Sequence, residues 1–255
     1  MSARALTLVI AGIVAVAAAG CGGQTATTAS APPASSIAAA PAIAGTWHNP
    51  LGSGNRLRPA EGDVPFTPWG AEQMKAARPT FTNDFRETND PAVLYADPNG
   101  YPRIMMHPMK FKLIVTDDYV YQLFEYNQNW RQIAIDQPHA PDEPLTWYGN
   151  AVGRWEGDAL VVDSTGFKDA TWLDSRGLPH TDRLRLVERF RRDGDALAVE
   201  VTFDDPGAFS KPWTAQLKFN RAEDGSMIEN IYTISDELRF RERFLGVKSP
   251  IPIRR

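Results

Sequence analysis

From position 110 onward, apolar and polar side chains alternate. Phe111, Leu113 and Val115 share one phase, and Lys110, Lys112 and Ile114 the other. A period of two sends successive side chains to opposite faces of a strand. The same patterning predicts strands over 119–126, 131–136, 147–155, 159–164, 183–192, 196–203, 213–220, 227–235 and 238–245. Turn chemistry separates them at Asp117-Asp118, Glu156-Gly157-Asp158, Asp193-Gly194-Asp195 and Glu223-Asp224-Gly225. About ten strands at hairpin spacing predict a mainly β domain, an antiparallel barrel or a sandwich. The meander barrel is the preferred expectation, because closing the sheet removes its exposed edges. Two echoes reinforce it. Gly157-Asp-Ala-Leu160 recurs as Gly194-Asp-Ala-Leu197, and Leu184-Arg-Leu-Val-Glu188-Arg-Phe190 returns as Leu238-Arg-Phe-Arg-Glu242-Arg-Phe244.

Between 48 and 109 the chain is irregular and rich in proline. One short helix is expected, with Thr67 as N-cap, Pro68 at the first helical position, Trp69 to Arg78 following, and Pro79 as the stop. The stretch 89–103 reads as an ordered covering loop, since it carries Val93, Leu94 and Tyr95.

Composition changes the picture at the N-terminus. Arg4 precedes an apolar run over 5–19, the length of a signal-peptide core rather than a membrane span. It ends in Ala18-Ala19-Gly20-Cys21, which resembles a bacterial lipobox. The organisation expected is a signal peptide over 1–20, a lipidated Cys21 with a flexible tether over 21–43, and one β-rich domain over 44–255. The tether is nearly all Gly, Ala, Thr, Ser, Pro and Gln, and a coil of that length spans roughly 25 Å. The expected address is exported and membrane-anchored, in the periplasm or at the cell surface. Cys21 is the sole cysteine, so the domain has no disulfide and no thiol chemistry. The formal charge of −4 comes without a basic stripe, which sets nucleic acid aside as a partner.

Two resemblances bear on the domain. Gly45-Thr46-Trp47 resembles the first strand of lipocalins and related calycin barrels, which implies a tryptophan closing one barrel end. A longer series runs in order from about Asn89 to the C-terminus. It includes Trp155-Glu-Gly-Asp-Ala-Leu-Val-Val-Asp163, Thr171-Trp-Leu-Asp174, Gly177-Leu-Pro-His180-Thr-Asp182, Glu188-Arg-Phe-Arg-Arg192 and Asp204-Asp-Pro-Gly-Ala-Phe209 with Lys211-Pro-Trp213. Together these resemble a largely uncharacterised family of secreted bacterial proteins. That resemblance implies no activity and assigns no catalytic residue.

The residues themselves offer three candidate chemistries. Glu188 shares a phase with Leu184, Leu186 and Phe190, and Glu242 with Leu238, Phe240 and Phe244. In a barrel both would face the lumen, where desolvation raises a carboxyl pKa and suits a general acid, a ligand hydrogen bond or a cation site. The competing reading is a structural glutamate bonded to a lumen Arg or Tyr. Second, the loop 166–182 gathers Asp169, Trp172, Asp174, His180 and Asp182. His180 with Asp182 suits a general base and its orienting carboxylate. A weaker alternative enlists His139, His180 and Asp142, with Asp136, as metal ligands, although the spacing fits no ligand motif. Otherwise no cofactor is expected. Third, Trp172 stands in a loop as a stacking platform, whereas most other tryptophans suit the core. No Gly-x-Ser-x-Gly elbow and no phosphate-binding glycine loop occur.

Three functions follow. One is a lipid-anchored barrel binding a small or amphiphilic ligand. Another is an acid–base hydrolase, lyase or isomerase acting outside the cytoplasm. The third is a structural envelope component. Binding ranks first, with the membrane as partner through the lipid on Cys21.

Overall fold

The computed structural model describes residues 42–50, 54–80 and 87–246. The leader, Cys21 and the tether up to residue 41 lie outside the described residues. Ile43, placed in the tether by composition, is buried in the core, and its carbonyl accepts the Trp47 indole N–H at 3.0 Å.

Nine strands close into one barrel in sequence order. They are β1 (Gly45–His48), β2 (Lys110–Val115), β3 (Tyr119–Phe124), β4 (Trp130–Ile135), β5 (Asn150–Glu156), β6 (Ala159–Thr165), β7 (Arg185–Asp193), β8 (Ala196–Asp204) and β9 (Trp213–Arg221). The last strand pairs with the first through Trp47 opposite Arg221 and His48 opposite Asn220, which seals the ring. Alternation does what the sequence requires of it. On β7, Leu186, Glu188 and Phe190 are buried, while Arg185, Arg189 and Arg191 are exposed. Gly157 and Gly194 supply the positive φ (65° and 58°) that the tight turns before β6 and β8 need. Trp47 is fully buried, with the Arg192 guanidinium 5.1 Å from its ring.

One junction departs from the antiparallel meander. β4 and β5 run parallel and pair only through Ile133–Ile135 against Ala151–Gly153. Residues 136–149 carry the chain back to the same end before β5 starts, which a tight hairpin cannot do.

The expected helix is present as α1 (Pro68–Ala76), with the Thr67 hydroxyl accepting from Gly70 N at 3.0 Å. Further helical segments add to it. The covering loop contains α2 (Pro91–Leu94) and runs into a 3-10 turn over Arg103–Met106. Tyr101, Ile104, Met105 and Met106 are buried in the core cluster, so this loop is part of the domain's interior.

The C-terminal expectation is corrected. Residues 227–233 form no strand, and the chain continues as α3 (Ile234–Phe240) and a wider helical turn over Arg241–Leu245. The cause is local. Thr233 Oγ1 accepts from Asp236 N at 3.3 Å, and Asp236 Oδ2 accepts from Thr233 N at 3.0 Å. This reciprocal capping box starts a helix and outweighs the period-two pattern of Leu238, Phe240 and Phe244.

Candidate functional site

Glu188 enters the barrel interior from β7, opposite Val162 of β6 and Val201 of β8. Arg131 Nη2 donates to its Oε2 at 2.5 Å, and the Tyr101 hydroxyl donates to its Oε1 in a short hydrogen bond. Arg131 comes from β4, where it stands opposite Gln122 of β3. Its guanidinium carbon lies 3.9 Å from the Tyr101 ring centroid, and Nη2 also reaches Ser164 Oγ at 3.3 Å. Burial is the largest single influence on Arg131 and opposes its charge, but Glu188 and Tyr101 acting together hold the pKa above the ordinary value. Burial raises the Tyr101 phenol well above its usual range, and Arg131 counters only part of that effect.

This cluster leaves polar capacity unused. Arg131 Nε and Nη1 and Gln122 Oε1 are buried without a protein hydrogen-bond partner. The same holds for Thr146 Oγ1 and the Tyr148 hydroxyl. Arg131, Thr146 and Tyr148, with Trp130, Glu143 and Asn150, line a cavity of about 340 Å³. It lies where the parallel register leaves Trp130–Gln132 without ladder partners on β5. Each orphaned buried group costs roughly 1–3 kcal/mol, and four of these five atoms belong to residues that line this one cavity.

The loop between β6 and β7 forms a second cavity with α1. Its volume is about 170 Å³, and Trp69, Gln73, Asp169, Thr171, Trp172 and His180 are among its walls. Trp172 is half-buried, with the Arg103 guanidinium 5.9 Å from its ring. His180 is buried. Its Nδ1 lies 3.0 Å from the Thr181 carbonyl and its Nε2 3.0 Å from Thr171 Oγ1. A carbonyl only accepts, so the proton sits on Nδ1 and Nε2 receives the Thr171 hydroxyl. Burial lowers the His180 pKa, with the Thr181 carbonyl and the charges of Asp205 and Asp169 pulling the other way.

Several expected roles are corrected by this geometry. Asp182 is exposed and does not orient His180, because the Thr181 carbonyl holds that position. Asp174 is buried as a staple. It accepts from Leu57 N at 3.1 Å and Arg176 N at 2.9 Å, and pairs with Arg176 Nη2 at 2.9 Å. Glu242 lies in the C-terminal helical segment, outside the barrel strands, so it does not face Glu188 across a lumen. His139 meets Glu143 at 3.2 Å and Asp163 at 4.0 Å, while His180 is bound to Thr171. Among the described residues no three His, Cys, Asp or Glu gather as a metal site, so His139, His180 and Asp142 do not form one ligand set.

Arg131 and Gln122 were accessible to sequence reasoning. Arg131 is in phase with Ile133 and Ile135, and Gln122 with Val120 and Phe124, the logic that turns Glu188 inward. Tyr101 arrives from a loop and carries no periodic signal. Compared with family models, curated proteins and solved structures, the chain matches none.

Proposed function

We propose that this chain is a lipid-anchored envelope protein whose β-barrel domain binds a small amphiphilic ligand at the parallel β4–β5 junction. The observation that carries the reading is the buried Arg131 guanidinium with Nε and Nη1 unpartnered, in a residue that lines one cavity with Thr146 and Tyr148, whose hydroxyls are unpartnered as well. The Glu188 carboxylate already balances the Arg131 charge. A neutral acceptor, such as a carbonyl or hydroxyl oxygen, therefore meets the free donors at lower desolvation cost than a second anion. Trp130 and Tyr148 line the cavity and supply an apolar wall for the rest of the ligand. The lipobox resemblance at Cys21 supports the anchor and the exported address.

The test is mass spectrometry of small molecules retained by the full chain, compared with Tyr148→Phe and with the double substitution Arg131→Met/Glu188→Met. The double change removes both charges together and so avoids stranding one of them. The expected result is a retained species that is lost from the double variant and weakened about fivefold in Tyr148→Phe. Equal retention by all three chains, or none by any, would refute the site.

The Thr171–His180 pair specifically favours a second reading, an acid–base enzyme working in the cavity beside α1. A neutral imidazole that accepts a hydroxyl proton has the arrangement of a general base. Hydrolysis of activated esters or glycosides that is abolished by His180→Gln in a folded protein is the expected result under this reading. Indifference to that change removes it.

A further inference from the structure

The cavity beside α1 has two walls of different origin. From the helix, Trp69 and Gln73 stand one turn apart and share a face. From the loop between β6 and β7 come Asp169, Thr171 and Trp172. Both walls are fixed by contacts of their own. Asn89 ties down the end of the helix, its Oδ1 accepting from Arg78 N at 2.7 Å and its Nδ2 donating to Ala76 O at 3.1 Å. Loop and helix touch at Gly177, where a Cβ would lie 2.2 Å from the Ala77 Cβ. The Arg103 guanidinium beside the Trp172 ring is itself held by Asp90 in a two-point pair at 2.8 and 2.6 Å. A cavity set in advance loses little ordering entropy when a ligand enters.

The chemistry of the walls selects the occupant. Two indole rings in one small cavity suit a ring-shaped partner with an apolar face. The polar atoms beside them favour hydroxyl donors. Thr171 gives its hydroxyl proton to His180 Nε2, so Oγ1 keeps only lone pairs to offer. Among the described residues, the side chains of Asp169 and Gln73 form no hydrogen bond, and both residues are exposed. Asp169 is also the sole acidic or basic side chain besides His180 on these walls, which turns phosphates and carboxylates away. A cationic ligand is disfavoured too, because the Arg103 guanidinium already lies 5.9 Å from the Trp172 ring. At about 170 Å³ the cavity falls below the roughly 300–1,000 Å³ of drug-sized pockets, so it takes a single ring rather than a chain. A sugar ring meets every condition, with a C–H face for the indoles, O–H donors on its rim and no net charge.

We propose that this cavity is a binding site for one neutral sugar ring, stacked on Trp69 and Trp172 with hydroxyls donating to Asp169 and Thr171. It shares no lining residue with the cavity at the β4–β5 junction. It shares its place with the acid–base reading without resting on it, since binding needs no proton transfer by His180.

The experiment is saturation-transfer NMR on the full chain with the methyl glycosides of glucose, galactose, mannose and N-acetylglucosamine, and with choline and inorganic phosphate alongside. The expected result is transfer to the ring protons of at least one glycoside, and an affinity for it that added phosphate leaves unchanged. Trp69→Ala and Asp169→Asn should each weaken that glycoside about fivefold. Both positions are exposed, so the fold survives either change. Transfer to none of the glycosides would overturn the inference, and so would equal affinity in both variants. Transfer to choline alone, lost in Asp169→Asn, would assign the cavity to a cation instead. A glycoside lost from Tyr148→Phe but kept by Trp69→Ala would move the sugar to the β4–β5 junction, which also overturns the inference. A glycoside that binds here and is never hydrolysed removes the acid–base reading alone, so the two ideas fail separately.

Discussion

At the scale of single residues, the interior ion pair is the most consequential feature. Arg131 and Glu188 are both buried, and each is what makes the other tolerable. Glu188→Ala leaves a guanidinium without its counter-charge, and a loss of about 3–5 kcal/mol is expected in urea unfolding. Arg131→Met/Glu188→Met should cost far less than either single change, which a double-mutant cycle measures. Phe190→Ala, on the same strand and fully buried, should cost about 3–5 kcal/mol through lost burial and a cavity. Two histidines set a pH dependence. Burial, then the charge of Arg103, lowers His107 to about 4, and burial also lowers His180. Below the ordinary pKa of 6.5 the unfolded chain takes up protons that the folded chain refuses. Their contribution is therefore complete above pH 6.5 and is lost progressively as pH falls toward about 4. Denaturant midpoints measured across that window should decline, and His107→Phe should flatten the decline.

At the scale of elements, α1 is positioned by a close backbone approach. A Cβ on Gly70 would lie 2.2 Å from the Ala208 carbonyl oxygen, and Thr67 Oγ1 donates to Gly207 O at 2.7 Å. Gly70→Ala should therefore push α1 off the β8–β9 connection and widen the cavity that holds Trp172 and His180. Lowered thermal stability, with altered Trp fluorescence, is the expected readout. The elements also show where sequence reasoning reaches. β7 and β8 were legible because one face is buried and the other solvated, so each residue states its side. The same phase argument applies to Arg131, which alternates with Trp130 and Gln132 and shares its side with Ile133 and Ile135. The C-terminal segment misled because alternation alone cannot separate an exposed helix from an edge strand. Thr233-x-x-Asp236 held the deciding information. The parallel β4–β5 pairing was not legible, because it follows from where residues 136–149 lead the chain rather than from either strand's pattern. The Tyr101 contact depends on a loop folding inward, which no local period encodes.

At the scale of the molecule, a ring of strands offers no free edge, and its interior is packed from wall to wall with side chains such as Trp47, Phe111, Phe190 and Phe203. Specific chemistry is therefore placed at breaks in that regularity: the lumen pair beside the parallel junction, and the loop cavity beside α1.

The three-residue ladder between β4 and β5 makes one stave of the cask looser than its neighbours. Thermal fluctuation should part the wall there before anywhere held by longer pairing such as β7 with β8. Under the binding function proposed above, that slot is the ligand's route in and out while the remaining staves keep their grip, and hydrogen exchange at Trp130–Gln132 should outpace that of the β7–β8 amides.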